Sequence, residues 1–188
     1  YPIQHWSLKW FHEFFTDEGW RIAVKNSFVI AISATVIATT LGTLASVGLT
    51  HRNLPGRALI TAILVSPMVV PIVIVAVGAY FFYSTLGIAN SLTGIILAHA
   101  VLGTPFVVIT VSATLQGFDP NLTRAAASLG ATPAHAFRTV TLPIIAPAVA
   151  SIGVFFFVRS MVTLSALIFI VTPKTQVAAV SVLLLDDS

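Results

Sequence analysis

The chain has 188 residues, of which 57% are hydrophobic and 8% are charged, and its mean hydropathy is +1.00. Soluble domains carry about 25% charged residues, so this composition excludes a soluble globular protein and predicts a membrane protein. The net charge of +3 comes from Lys and Arg spread among loops, which indicates membrane topology and not nucleic-acid binding. The sequence contains no cysteine, which excludes thiolate chemistry.

Long gaps between charged residues place the predicted membrane spans. Charged residues are absent over three stretches: Lys25 to Arg52, Arg57 to Asp119, and Arg138 to Arg159. One crossing takes about 20 residues. We therefore expect four transmembrane helices, over residues 26–49, 58–83, 92–117 and 143–171.

The loops after the first and third spans fix the predicted orientation. They carry four arginines against one acidic residue: Arg52, Arg57, Arg124, Arg138 and Asp119. By the positive-inside rule, both loops face the cytoplasm. Residues 1–25, with aromatic side chains at helical spacing, then form an interfacial segment on the outer side, residues 26–171 the transmembrane core, and residues 172–188 a truncated outer loop.

Small residues and prolines mark features within the spans. In the first span, four small residues recur at every fourth position and predict a face for close helix packing: Ala34, Ala38, Gly42 and Ser46. Pro67 and Pro71 lie in the second span and Pro105 in the third. We expect these prolines to kink their helices, and the alternative is a set of broken helices that line a water-filled path.

Two ionisable side chains lie in the predicted spans, His99 in the third and Arg159 near the middle of the fourth. A charge at the bilayer centre costs about 2.5–3.5 kcal/mol on insertion scales, so such residues usually face a cavity or a partner. We expect His99 to be neutral and bonded to a neighbouring helix, with a transport role as the alternative. For Arg159, a structural role and a place in a translocation path remain open, the latter with nearby hydroxyl groups of Ser160, Thr163 and Ser165.

Residues 119–142 form the most polar internal stretch and predict an elbow of two short helices. Asp119 and Pro120 are suited to begin a helix, and Gly130 is suited to end it in the left-handed conformation. Pro133 opens a second helix. Leu142 and Pro143 are expected to end the elbow, because proline is tolerated in the first turn of a helix but not in its interior.

The elbow resembles the EAA motif of binding-protein-dependent ABC importer permeases. That pattern is Glu-Ala-Ala, three residues, Gly, nine residues, Ile, one residue and Leu-Pro. Five positions match it outright: Ala125, Ala126, Gly130, Leu142 and Pro143. Val140 stands for the Ile of the family, and Arg124 departs from its Glu. An amphipathic connector on the bilayer surface is the alternative interpretation.

The resemblance implies a fold, a function and a set of partners. The fold is all-α, a polytopic transmembrane bundle of the type I (MetI-like) importer permease kind, with about four spans plus a cytoplasmic coupling helix. The implied partners are a separate ABC ATPase subunit that docks at the elbow, a second permease subunit or half, a periplasmic or lipid-anchored substrate-binding protein, and the lipid bilayer. The implied location is a bacterial or archaeal cytoplasmic membrane.

The chain itself shows no pattern for catalysis, for a cofactor or for a metal. It lacks a phosphate-binding loop and the common hydrolase and zinc motifs, so ATP hydrolysis is expected in the separate subunit. Family members have helices before and after the region covered here, so we expect these residues to be part of a longer permease.

Arg159 also guides the expected substrate. The chain resembles most the permeases that move polyamines, ferric iron or phosphonates. The positive charge of Arg159 would repel a polyamine, so within this resemblance we expect ferric iron, arriving with an anion, or an anionic, phosphonate-like solute, with polyamine less favoured. The alternatives outside this family are a secondary transporter or channel, and a structural membrane anchor.

Overall fold

The computed structural model describes residues 16–51 and 54–163, together with Val177. This part of the chain is helical and contains no strand. In chain order its elements are α1 (Glu18–Leu49), α2 (Arg57–Val69), α3 (Ile72–Thr85), α4 (Leu92–Gln116), α5 (Pro120–Ser128), α6 (Pro133–Ala136), a π-helical turn (Phe137–Thr141) and α7 (Leu142–Val162).

The number of membrane spans agrees with the prediction. Three helices are long and apolar enough to cross a bilayer, namely α1, α4 and a continuous helix from Pro133 to Val162. The pair α2 and α3 forms a fourth span only if its two halves, bent by 106°, are counted together. The prediction of an all-α, multi-span membrane bundle is thus confirmed.

Helix α1 begins earlier than predicted, at Glu18 instead of residue 26. The Asp17 side chain accepts hydrogen bonds from the backbone N–H groups of Gly19 and Trp20, which makes it an effective N-cap. The charges of Arg21 and Lys25 therefore lie inside the helix and do not mark its start. Of the interfacial segment expected over residues 1–25, residues 1–15 lie outside the described residues.

The core of the bundle forms where α1, α4 and α7 pack against one another. The predicted small-residue face of α1 is confirmed, since Ala34 and Ala38 are fully buried and Gly42 lies against Val107 of α4. The Ser46 hydroxyl lies 2.8 Å from the carbonyl oxygen of Gly42 on its own helix. It also lies 3.2 Å from a carbonyl oxygen of α4, so α1 and α4 share a polar contact.

Helix α7 runs antiparallel to α4. Gly103 of α4 has no side chain, and the ring of Phe156 occupies the space that a Cβ atom would fill. Near the C-terminal end of α4, Leu115 belongs to the same core cluster as Ile145, which lies near the start of α7. Since α1 and α4 run in the same direction, the loop after α1 and the elbow after α4 lie at one end of the bundle, as the positive-inside rule predicts.

The second predicted span is broken, contrary to the expectation of a kinked helix over residues 58–83. Val70 has extended backbone angles, φ −77° and ψ 136°, and separates α2 from α3. The break follows from Pro71, which lacks an N–H donor and disfavours helical angles at the residue before it. Pro67 lies inside α2 and Pro105 inside α4 without ending either helix.

Helix α7 ends at Val162, well before the predicted end at residue 171. Thr163 has extended backbone angles and stops the helix, although the apolar pattern continues beyond it. Arg159 therefore lies in the last turn of α7 and not near its middle, which corrects its predicted position.

Candidate functional site

The elbow has the helix–turn–helix geometry that its sequence predicts. The Asp119 carboxylate accepts a hydrogen bond of 2.9 Å from the backbone N–H of Asn121, which begins α5. Gly130 has a φ of +84°, and its N–H donates to the carbonyl of Ala127 at 2.9 Å, closing the helix. The Thr132 hydroxyl oxygen then accepts from the N–H of His135 and begins α6.

The outer face of the elbow is exposed. Leu129 is 89% exposed, and Arg124 is exposed with one guanidinium nitrogen 3.2 Å from the side-chain oxygen of Asn121. Ala125 is exposed and Ala126 is half-buried, so small side chains leave the backbone of α5 accessible. A large apolar side chain beside small residues is suited to contact another protein.

The inner face of the elbow borders the ends of α1 and α4. A cavity of about 710 Å³ separates them, with walls from three parts of the chain: the end of α1, the end of α4 and the elbow. His51 and Gln116 line it together with Phe137 of the π-helical turn. The two loops that the sequence assigns to the cytoplasm thus meet here.

The second half of the elbow differs from the prediction. We expected Leu142 and Pro143 to separate it from the last span, but the helix continues without interruption from Pro133 to Val162. Pro143 cannot donate a backbone hydrogen bond, and its ring crowds the preceding turn. The π-helical turn before it, which contains Val140, is wider and relieves that crowding. The second helix of the elbow, α6, is therefore continuous with α7.

A second cavity, of about 530 Å³, lies at the break between α2 and α3 and is called here the Arg159 cavity. It is bordered by the break on one side and by α4 and α7 on the other. Its lining residues are Pro67, Met68, Val69, Val70, Pro71, Ile72, His99, Leu102, Phe106, Phe156, Arg159 and Thr163.

His99 is 2% exposed and joins α4 to α7. Its Nδ1 atom lies 2.9 Å from the hydroxyl oxygen of Ser160, which is also buried. This contact confirms the expected bond to a neighbouring helix. The Nε2 atom of the same ring is buried and has no hydrogen-bond partner in the described part of the chain.

Arg159 lies at the other side of the same cavity. Its guanidinium carbon is 5.1 Å from the centre of the Phe106 ring, a cation–π contact. The Thr163 hydroxyl donates to the carbonyl of Arg159 at 2.6 Å. The structure thus brings together four of the five residues predicted for a translocation path: His99, Arg159, Ser160 and Thr163. Ser165 lies outside the described residues.

Sequence reasoning missed several features of this cavity. Phe106 was not predicted as a site residue, because its contact with Arg159 joins residues on different helices that are far apart in the chain. The Pro67–Pro71 pair could have indicated the break, because two prolines one turn apart weaken the helix between them. Within the described part of the chain, no three His, Asp or Glu side chains lie close enough together to hold a metal ion.

The chain is similar to known permeases of polyamine transport systems. It is 28% identical over 174 residues to the spermidine/putrescine transport system permease protein PotC of Escherichia coli, covering 93% of this chain and 66% of PotC. It is 33% identical over 153 residues to the putrescine transport system permease protein PotI of Escherichia coli, covering 78% of this chain and 54% of PotI.

A solved structure shares the fold. It is a bacterial ABC transporter involved in the import of the acidic polysaccharide alginate, with a TM-score of 0.74 and 15% sequence identity. The match covers 94% of this chain and 61% of that chain. The present chain therefore spans just under two thirds of the length of PotC and of this structure.

These relatives do not support the substrate expected from Arg159. PotC and PotI are named for polyamines, and neither name includes iron or a phosphonate. Residues 38–184 match the sequence model of a protein family that is described as the inner membrane component of binding-protein-dependent transport systems. Because this match covers most of the chain, the protein belongs to the family of binding-protein-dependent transport system inner membrane components.

Proposed function

We propose that this chain forms the permease part of an ATP-driven importer and couples transport to a separate ATPase subunit through the elbow. The observation that carries this proposal is the elbow itself, an exposed helix–turn–helix continuous with the last span. A connector that only rested on lipid would need neither the left-handed Gly130 turn nor the rigid connection to α7.

Each residue of the elbow motif has a proposed role. Arg124, Ala125 and Ala126 face the ATPase, with the alanines allowing close approach and the arginine selecting a partner of complementary charge. Gly130 sets the angle between the two short helices. Val140, Leu142 and Pro143 lie at the connection to α7 and transmit movement of the elbow into the bundle.

The remaining partners follow from the family and from the exposed surface. A substrate-binding protein is implied by the family description. A second permease subunit is supported by α2, which buries none of its side chains and exposes large ones such as Leu59 and Ile63. A surface of this kind suits contact with another membrane subunit or with lipid.

We propose a polyamine as the cargo, supported by the similarity to PotC and PotI. The proposed translocation path contains the Arg159 cavity, with His99, Ser160, Thr163 and Ser165. A polyamine and an uncompensated guanidinium would repel each other by about 3 kcal/mol at 6 Å and an effective dielectric constant of 20. The path therefore requires that the charge of Arg159 be neutralised when the cargo passes.

The test is transport by the complete complex in proteoliposomes, with the ATPase, both permease subunits and the binding protein. We expect uptake of radiolabelled putrescine or spermidine that requires ATP. The Gly130→Val variant should assemble normally but lose most of this uptake and of the cargo-stimulated ATP hydrolysis, because a β-branched residue strongly disfavours a φ of +84°.

A matched control is Gly117→Val, since Gly117 also ends a helix but has an ordinary φ of −85°. It should retain most of the uptake. No ATP-dependent uptake of any polyamine by the assembled wild-type complex would contradict the proposed cargo. Normal coupling in the Gly130→Val variant would contradict the proposed role of the elbow.

A further inference from the structure

Arg159 has no carboxylate partner among the described residues. The acidic residues of that part of the chain are Asp17, Glu18 and Asp119. Asp17 and Glu18 lie about 15 Å along α1 from Phe28, whose ring contacts that of Phe157 near Arg159. Asp119 is about 20 Å from Phe106 along the direction of α4, at 1.5 Å per residue. Among the described residues, no negative charge therefore balances the positive charge at the cavity.

The contacts that Arg159 does make compensate for its charge only in part. The Phe106 ring attracts the guanidinium through its π electrons, and the C-terminal end of α7 carries a partial negative charge. Neither supplies the acceptor oxygens that the five guanidinium N–H groups can bind. The cavity can still accommodate a group that supplies them.

His99 adds a second unused donor to the same cavity. The buried Ser160 hydroxyl is hydrogen-bonded to His99 Nδ1, and which of the two donates depends on the imidazole tautomer. We take the tautomer in which the hydroxyl donates, so the neutral imidazole carries its own proton on Nε2. That atom is buried and has no hydrogen-bond partner among the described residues. A buried donor is costly to leave unpaired, so an acceptor is expected beside it.

The cargo cannot supply this acceptor if the proposed function holds. Ammonium groups of a polyamine donate hydrogen bonds and carry the same charge as Arg159. A carboxylate has the required properties, with two oxygens and a negative charge. The cavity borders the exposed break between α2 and α3, where Val69 is 81% exposed, so a neighbouring subunit can reach it.

We propose that the Arg159 cavity receives a carboxylate side chain of the second permease subunit, which pairs with Arg159 and accepts a hydrogen bond from Nε2 of His99. This inference rests on the proposed function, since it requires the second subunit. This ion pair holds the two subunits together at the Arg159 cavity and neutralises the charge that would repel a cationic cargo.

Zero-length cross-linking in the complete complex tests the proposal. In the Arg159→Lys variant, a membrane-permeable carbodiimide activates the carboxylate, the lysine amine attacks it, and an amide forms as the substituted urea leaves. Mass spectrometry of the digest identifies the joined peptides. We expect a cross-link between this position and an Asp or Glu in a membrane span of the second permease subunit.

The matched control is Val158→Lys, because Val158 is 55% exposed on the same turn but does not line the cavity. It should give little or no such product. A cross-link absent from the Arg159→Lys variant, equal to the control, or made only within this chain or to the binding protein would overturn the proposal. Assembly and ATP-dependent polyamine uptake of the wild type, measured first, show separately whether the proposed function fails.

A second variant covers the case in which Arg159→Lys does not assemble. Arg159→Gln should weaken association with the second permease subunit at least about thirtyfold, as expected for the loss of one partner of a buried charge pair. Val158→Gln should leave association unchanged. Equal association of both variants would overturn the proposal.

Discussion

Helices α4 and α2 are both apolar, yet the first is deeply packed and the second has only partly buried and exposed side chains. Helix α4 lies against the small residues of α1, and its own Gly103 admits the Phe156 ring. Helix α2 presents large side chains such as Leu59 and Ile63. In a membrane protein, hydrophobicity does not by itself select which helices pack, because lipid is equally apolar.

This difference separates the molecule into two regions. The bundle of α1, α4 and α7 is held by close backbone approach. The pair α2 and α3, called here the broken arm, is bent by 106° and borders the Arg159 cavity. The bundle is thus the more closely packed part that carries the elbow, whereas the broken arm is less deeply packed and presents much of its surface to lipid or a second subunit.

The largest expected effect on stability comes from substituting a closely packed glycine of the bundle, compared with an open glycine of the broken arm. The Gly103→Ala variant should be destabilised by about 1–3 kcal/mol, the usual range for overpacking, because its Cβ atom would overlap the ring of buried Phe156. The measurement is thermal denaturation of the purified protein in detergent, followed by size-exclusion chromatography.

The control for this variant is Gly78→Ala in the broken arm. No atom of the described residues lies within 4 Å of the position where its Cβ would be. Alanine in a helix interior is favoured over glycine by about 0.5–1 kcal/mol, so this variant should be unchanged or slightly more stable. Equal melting temperatures for the two variants would contradict the distinction between bundle and arm.

A second prediction concerns the bend of the broken arm. Spin labels attached to Ala62→Cys and Ser84→Cys should lie about 20 Å apart along the helix axes if the bend is 106°, and about 33 Å apart in a straight helix. The sequence has no cysteine, so labelling is specific. The Pro71→Ala variant should shift the distance distribution toward the longer value.

Pro67→Ala is the control for this experiment, because Pro67 lies within α2 and does not end it. Its distance distribution should match that of the protein with both prolines. A distribution unaffected by Pro71→Ala would mean that the bend is imposed by packing and not by the proline.

The smallest expected effect concerns the polar contact between α4 and α7. Ser160→Ala removes the bond to His99 and should destabilise the bundle by about 0.6–1.7 kcal/mol, the range found for hydrogen bonds between membrane helices. Ser151→Ala is the matched control, since its exposed hydroxyl bonds only to Pro147 on the same helix. Thermal denaturation should leave the control unchanged, and an equal loss in both variants would contradict the interhelical role.

The sequence predicted local features of the fold well. The ladder of small residues at every fourth position correctly identified the packing face of α1. Asp119, Gly130 and Pro133 correctly placed the two short helices of the elbow, because capping and left-handed turns depend on a few adjacent residues.

The positions at which helices end inside the apolar spans were predicted less well. Pro67 and Pro71 look alike in the sequence, yet only Pro71 breaks its span. At Pro67 the carbonyl of Ile63 is satisfied by the Ser66 hydroxyl, so α2 continues. The apolar pattern likewise gives no sign that α7 ends at Val162, and this error placed Arg159 near the middle of the last helix instead of in its last turn.

The candidate site shows the same limit. His99 and Arg159 stood out because ionisable residues are unusual in apolar spans. Their shared cavity, the orphaned Nε2 atom and the Phe106 contact arise from residues far apart in the chain. The sequence therefore identified candidate residues but not the chemistry between them.

The most direct test of the central claim is whether the elbow contacts an ATPase subunit. Leu129→Cys, carrying a benzophenone maleimide at this 89% exposed position, should form a photo-cross-link to the ATPase in the assembled complex. Leu59→Cys, 66% exposed on α2, should form none. Cross-linking to the ATPase from Leu129→Cys alone is the predicted result, whereas no product from Leu129→Cys, or equal products from both variants, would contradict the assignment of the elbow as the coupling element.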